Sequence, residues 1–152
     1  MLEFKQAEIE DKAAIDSILQ KARRRDSDYC FGNLFIWQKA FHMGFCINGG
    51  NLFIASGMQA SPVFFMPVGE NIEQGIRDLL EYTCVKGLPL RLLSVLPEEK
   101  VFLETAFPGC FSFEEDRDRS DYIYNSQDLM LLAGKKYHGK RNHISRFERL
   151  YT

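Results

Sequence analysis

Hydrophobic and polar positions recur along this chain with two periods, and the switches between them mark the elements. Residues 3–7 alternate weakly, as a first strand would, and Ile15, Ile18, Leu19 and Ala22 then follow at the spacing of one helix face, predicting a helix over residues 11–24. It closes on Arg23, Arg24 and Arg25, read either as a solvated terminus complementing the helix dipole, the simpler reading, or as an anion site. Phe31, Leu34, Phe35 and Phe41 around Trp37 predict a second amphipathic helix after Asp26-Ser27-Asp28. Residues 44–48 and 51–56 read as two strands joined through Asn48-Gly49-Gly50, residue types that accept the positive φ of a tight hairpin. Residues 62–68 form a third strand. Asn71 followed by Gln74 then caps a helix with Ile72, Ile76, Leu79, Leu80 and Thr83 on one face, ending at Gly87.

The near-continuous apolar run over 90–96 suits a strand covered on both faces, and Pro97 opens a helix that Pro108-Gly109 terminates after Ala106. Residues 110–113 and 121–124 are two last strand candidates, separated by a charged stretch, 114–120, expected to be a solvated hairpin tip. The expected order is β, α, α, β, β, β, α, β, α, β, β. This predicts an α/β (α+β) fold with a mixed central sheet and helices on both faces.

Composition narrows the class. With 152 residues, 45% hydrophobic and 13% aromatic, the chain can fill one proper core. Its start carries no charged stretch followed by an apolar one, and its longest apolar run, 62–68, is too short to span a bilayer, so a cytoplasmic protein without a transmembrane segment is expected. Cys30, Cys46, Cys84 and Cys110 are widely spaced, with no CxxC pair, and read as reduced, mostly buried thiols. Charge changes the picture most. Residues 1–134 carry 13 basic and 20 acidic side chains, whereas residues 135–149 carry six basic and one acidic. Two regions are therefore expected, a domain over 1–134 and a basic helix over 135–152.

Two stretches carry a family resemblance: Asp28-Tyr29-Cys30-Phe31-Gly32-Asn33-Leu34-Phe35-Ile36-Trp37, and Ser126-Gln127-Asp128-Leu129 through Gly134-Lys135-Lys136-Tyr137-His138-Gly139-Lys140-Arg141-Asn142-His143-Ile144. They resemble a bacterial family of largely unknown function related to the C-terminal domain of phosphatidylglycerol lysyltransferase, and more distantly the Fem-type peptidyltransferases. The resemblance implies a GNAT-like acyltransferase fold, in which one strand splays from its neighbour to admit an acyl carrier. It also implies two such domains in tandem joined through a basic linker helix, of which this chain covers the N-terminal one. The implied chemistry is aminoacyl or acyl transfer, with acyl-CoA or aminoacyl-tRNA as donor and a lipid or other amine or hydroxyl as acceptor.

Two candidate sites follow. In a working GNAT domain the carrier pyrophosphate meets backbone N–H groups at the loop after the third hairpin strand. Here that loop, Gly69, Glu70 and Asn71, has one glycine, no arginine, and carboxylates at Glu70 and Glu73 that oppose a pyrophosphate, with Asn71 committed to capping. It reads as a degenerate carrier loop. The second candidate is the basic segment, with Lys136, His138, Lys140, Arg141, His143, Arg146 and Arg149 as substrate- or anion-binding groups. On a helical wheel Tyr137, Ile144, Phe147 and Tyr151 form an apolar stripe opposite His138, Arg146 and Arg149. The segment is either a connecting helix with a solvated basic face or a landing strip for tRNA phosphate or an acidic lipid head group.

Lys140 falls in the apolar stripe if the helix is unbroken from Tyr137, so it must snorkel, pair with a carboxylate, or mark a later start near Asn142. His138 and His143 diverge on a helix, and no metal site is expected. No nucleophilic constellation can be assembled, and the catalytic residues stay unassigned. Two functions compete: half of an aminoacyl or acyl transferase, or a non-catalytic binding module docking an anionic partner through the basic helix. In a tandem protein the second domain could cover the apolar stripe; in this chain alone the stripe folds back on its own sheet or pairs with another copy, and a homodimer through that helix is the preferred expectation.

Overall fold

Helix α1 (Lys12–Ala22) forms where the apolar spacing placed it, turning Ile15 and Leu19 inward and stopping at Arg23, whose left-handed φ of 52° ends the run while its N–H bonds the Leu19 carbonyl. Helix α2 (Phe31–Trp37) begins at Cys30, whose sulfur accepts from the Asn33 amide, and buries Phe31 and Leu34. A computed structural model describes residues 1–151, without the side chain of Arg119; the last residue of the expected helix over 135–152 lies outside the described residues.

The hairpin β1 (Gly44–Asn48) and β2 (Asn51–Ser56) closes with Asn48 opposite Asn51, leaving Gly49 and Gly50 as a two-residue loop at φ 57° and 76°. Both positive values suit a turn whose twist matches the flanking strands. Residues 62–68 are two short strands rather than one. In β3 (Val63–Phe65), Phe64 lies opposite Ala55, while in β4 (Val68–Gly69), Val68 lies opposite Leu52, both antiparallel to β2. The break falls at Met66-Pro67, because Pro67 has no N–H for the ladder and the Met66 amide bonds Leu93 instead.

Helix α3 (Ile72–Val85) is capped by Asn71, whose side chain accepts from the Gln74 amide at 3.0 Å. The run over 90–96 contributes only β5 (Leu92–Leu93), parallel to β3, because Ser94 takes a left-handed φ of 55° and turns the chain off the sheet. Helix α4 (Pro97–Ala106) follows.

Three sequence expectations are corrected. Residues 3–7 make a single bridge, Lys5 to Phe45, rather than a strand. Residues 110–113 and 121–124 join no ladder among the described residues: Phe111 packs edge-on against Phe107, and Tyr122 and Ile123 stand in solvent. Of the cysteines only Cys46 is buried, where burial raises its thiol pKa; Cys30, Cys84 and Cys110 are exposed.

Alternation along β2 sorts the core. Leu52 and Ile54 pack with Ile15, Leu19 and Leu34, whereas Phe53 and Ala55 pack with Leu79 and Tyr82, so α1 and α2 cover one face and α3 the other. Met66, Ile76, Leu103 and Phe107 extend the second side to α4. The result is a mixed α/β fold with helices on both faces of a mixed sheet ordered β1-β2-β3-β5, with β4 also on β2. This is consistent with the expected GNAT-like order.

The chain divides into two compact units, Met1–Glu115 and a second from Asp116 onward, so residues 116–134 group with the basic segment. The second unit holds α5 (Ser126–Leu131), capped by Asn125 at the Gln127 amide, and α6 (His138–Tyr151). No helix among the described residues is long and apolar enough to cross a membrane.

Candidate functional site

The loop after β4 is held by a residue absent from the site expectations. Asn51, 1% exposed at the start of β2, donates Nδ2–H to the Asn71 carbonyl at 2.8 Å and accepts the Asn71 N–H on Oδ1 at 3.1 Å. The Glu70 amide points to the Gly50 carbonyl at 3.4 Å, and the Asn71 side chain occupies the Gln74 amide. Three N–H groups at the helix entrance are thus committed within the protein. Gly69 is required by closeness: a Cβ there would lie 2.3 Å from the Gly50 oxygen and 2.6 Å from the Asn51 Cα. The Glu70 carboxylate lies against Gly50 and 3.8 Å from Lys21 of α1, and Glu73 bonds Arg77 one turn on at 2.7 Å. Gly69, Glu70 and Asn71 therefore sit together, as a loop whose polar groups are already paired.

The second feature lies where β3 and β5 part. Their last ladder bond is Met66 N–H to the Leu93 carbonyl at 3.1 Å, beyond which Ser94 turns away. The buried Tyr29 hydroxyl donates to the Met66 carbonyl at 2.8 Å on one side of the parting, and Arg24 Nη2 donates to the Ser94 carbonyl at 2.6 Å on the other. The guanidinium stacks on the Tyr29 ring at 4.0 Å, so the two side chains bridge the gap together.

Arg24, with 5% of its side chain exposed, also forms a two-point pair with Asp26 and bonds Glu99, which in turn accepts from the Leu96 amide at the start of α4. Ser94 Oγ donates to Asp28 at 3.0 Å. Burial opposes the Arg24 charge, but the hydrogen bonds to Asp26 and Glu99, with Tyr29 and the charge of Glu99 beside it, outweigh it and raise its pKa; burial raises that of Tyr29. The arginine triplet is thus not uniformly solvated. Arg23 and Arg25 are exposed, whereas Arg24 turns inward because its partners, one of them 75 residues away, lie there.

In the second unit the basic residues divide into two groups. Lys136 pairs with Asp128 at 3.1 Å, a bond that raises the lysine pKa. Arg141 donates to the carbonyls of Leu132 and Gly134, holding the turn after α5. Lys140 lies over the Tyr124 ring at 5.0 Å, which answers its position in the apolar stripe, and α6 starts at His138 rather than near Asn142. His138 contacts Asn142 one turn on, while His143, Arg146 and Arg149 stand on exposed positions of α6. Tyr137 is corrected out of the stripe: it belongs to a separate 3-10 turn, is buried, and donates to Asp128 at 3.2 Å.

A mixed α/β domain with a paired loop at its expected carrier site, followed by a helix with basic residues on an exposed face, defines the class. The chain belongs to the family described as phosphatidylglycerol lysyltransferase, C-terminal, whose model matches residues 19–152. A solved structure, a conserved protein of unknown function from Bacteroides thetaiotaomicron VPI-5482, is 33% identical with a TM-score of 0.84 over 99% of this chain and 51% of its own. The chain thus spans about half the length of that relative. No curated protein matches it.

Proposed function

We propose that this chain is the scaffold half of an aminoacyl or acyl transferase of the phosphatidylglycerol lysyltransferase kind, incomplete alone, with the activated donor held elsewhere in the complete protein. In such a transfer an amine or hydroxyl attacks the carbonyl of an activated ester, the carrier leaves with the bonding pair, and rate comes largely from positioning. The observation that carries the reading is the Asn51 clamp on Asn71, which, with the Glu70 amide turned to Gly50 and the Asn71 side chain on the Gln74 amide, commits three of the loop's N–H groups within the protein rather than to a carrier pyrophosphate. Tyr29 and Arg24 across the β3–β5 parting support it.

What this half contributes to binding is the exposed face of α6 with Arg146, Arg149 and His143, suited to tRNA phosphates or an acidic lipid head group. A second reading, a non-catalytic module docking an anionic partner through the same face, is favoured by the carboxylates of Glu70 and Glu73 at the carrier loop.

Binding of bulk tRNA and of phosphatidylglycerol vesicles, each titrated against salt, tests the reading. Affinity for at least one is expected to fall as salt rises, and Arg146→Glu with Arg149→Glu to weaken it at least about tenfold with a shallower salt slope. Binding of neither at low salt refutes the anion face. Transfer by the complete protein that survives both changes favours the scaffold without the docking role.

A further inference from the structure

The ladder between β3 and β5 stops one bond short. Phe64 lies beside Leu92 and Phe65 beside Leu93, with the Phe64 amide on the Arg91 carbonyl at 2.8 Å and the Met66 amide on the Leu93 carbonyl at 3.1 Å. In a parallel ladder of this register the next bond runs from the Val95 N–H to the Met66 carbonyl. Instead the register ends at Phe65 and Leu93, and the Met66 carbonyl accepts the buried Tyr29 hydroxyl at 2.8 Å. Val95 is carried away by Ser94, which takes a φ of 55° that serine seldom adopts.

One short segment holds both conditions. The connection between α1 and α2 supplies Tyr29 to Met66, Arg24 to the Ser94 carbonyl at 2.6 Å, and Asp28, which accepts the Ser94 hydroxyl at 3.0 Å. Arg24 stacks on Tyr29 at 4.0 Å and is paired with Glu99 at the start of α4, so the contacts on Met66 and on Ser94 form one network. A left-handed serine costs about as much as one hydrogen bond contributes, so these contacts decide which arrangement lies lower.

We infer that the connection is a latch on β5. While Arg24, Asp28 and Tyr29 are engaged, the strands stay parted. When they let go, Ser94 returns to extended backbone and the Val95 N–H takes the Met66 carbonyl, which lengthens β5 and closes the parting. The inference rests on backbone register and stands independently of the transferase reading. It makes the parting a two-state element: whatever fills it favours the engaged connection, and whatever displaces the connection shuts it.

Hydrogen exchange at the Val95 amide of the whole chain, read by NMR and corrected for the neighbouring side chain, tests this. In the unaltered chain Val95 is expected to exchange at least about tenfold faster than Met66, and the reverse order overturns the latch. A Tyr29→Phe, Ser94→Val variant removes two latch bonds and puts a β-branched residue where a positive φ is strained. Its Val95 exchange is expected to slow at least about tenfold while the Met66 amide stays protected. Lost contacts alone speed exchange, so slowing at this one amide separates a latch from a merely structural role. Should the double variant fail to fold, Ser94→Val alone is read in the same way, with slowing of at least about threefold expected. Ser94→Gly accepts the left-handed turn and is expected to leave the Val95 rate within about twofold of the unaltered chain. A Val95 amide that exchanges no slower in the Ser94→Val chains, with Met66 still protected, overturns the inference, as does equal slowing in Ser94→Gly.

Discussion

Asn51→Ala is the sharpest perturbation of the closed loop, because one side chain supplies both a donor and an acceptor to Asn71. Two hydrogen bonds of 2.8 and 3.1 Å disappear. The Asn71 carbonyl keeps the Gly75 amide at 3.0 Å, but the Asn71 N–H loses its acceptor. Each lost bond is worth about 0.5–1.5 kcal/mol net, and a donor left unpaired in a partly buried place adds about 1 kcal/mol or more. With the small void left by a side chain that is 1% exposed, the total comes to about 2–4 kcal/mol. Asn48→Ala, at the solvent-facing end of the same hairpin, loses one long, exposed bond to Asp78 at 3.3 Å; it is the control and is expected to cost about 0.5 kcal/mol, well below Asn51→Ala. Urea unfolding followed by circular dichroism measures the difference, and hydrogen exchange at the Asn71 amide locates it. A change below about 0.5 kcal/mol in Asn51→Ala, or an Asn71 amide no less protected than before, refutes the clamp.

Arg24→Met should destabilise by about 3 kcal/mol, since it leaves Asp26 and Glu99 without their cation, and the loss should fall sharply in an Arg24→Met, Glu99→Gln double variant; additive losses would contradict the coupling. Gly69→Ala should cost more than Gly49→Ala in the same unfolding assay, because its Cβ meets backbone at 2.3 Å while that at Gly49 meets nothing within 4 Å. Burial raises the Tyr29 pKa above its ordinary 10.0, so the folded protein keeps the proton that the unfolded chain releases. Its contribution is therefore whole below pH 10.0 and is lost as pH climbs above it, and Tyr29→Phe should flatten that alkaline decline while costing about 1 kcal/mol at neutral pH for the bond to Met66.

The parts of the fold set by local chemistry were legible in the sequence. Gly49-Gly50 announced the hairpin, Asn71 the cap of α3, and the spacing of Ile15 and Leu19 the buried face of α1. Where tertiary partners decide, the reading failed. Pro67 divides a run that looks like one strand, and Ser94 shortens another by adopting a conformation its residue type does not announce. Helix α5 was missed although Asn125 caps it, because residues 121–124 resemble a strand and offer no long periodic segment.

The site divides in the same way. Glu70 and Glu73 are visible as carboxylates beside a poor phosphate loop, whereas Asn51 reads only as the first residue of a strand. Arg24 was indistinguishable from its neighbours until the fold brought Glu99 to it. In the basic segment the wheel was right for Ile144 and Phe147 and wrong for Tyr137, since the 3-10 turn over Lys135–Tyr137 breaks the helical register.

The most direct test of the central claim, that the loop after β4 is closed to an acyl carrier, is calorimetric titration of the chain with acetyl-coenzyme A. The expected result is no saturable heat up to about 1 mM ligand. Micromolar binding that is lost when Asn71 is changed to Ala would contradict it, because the loop would then be holding the pyrophosphate that its own hydrogen bonds are argued to exclude.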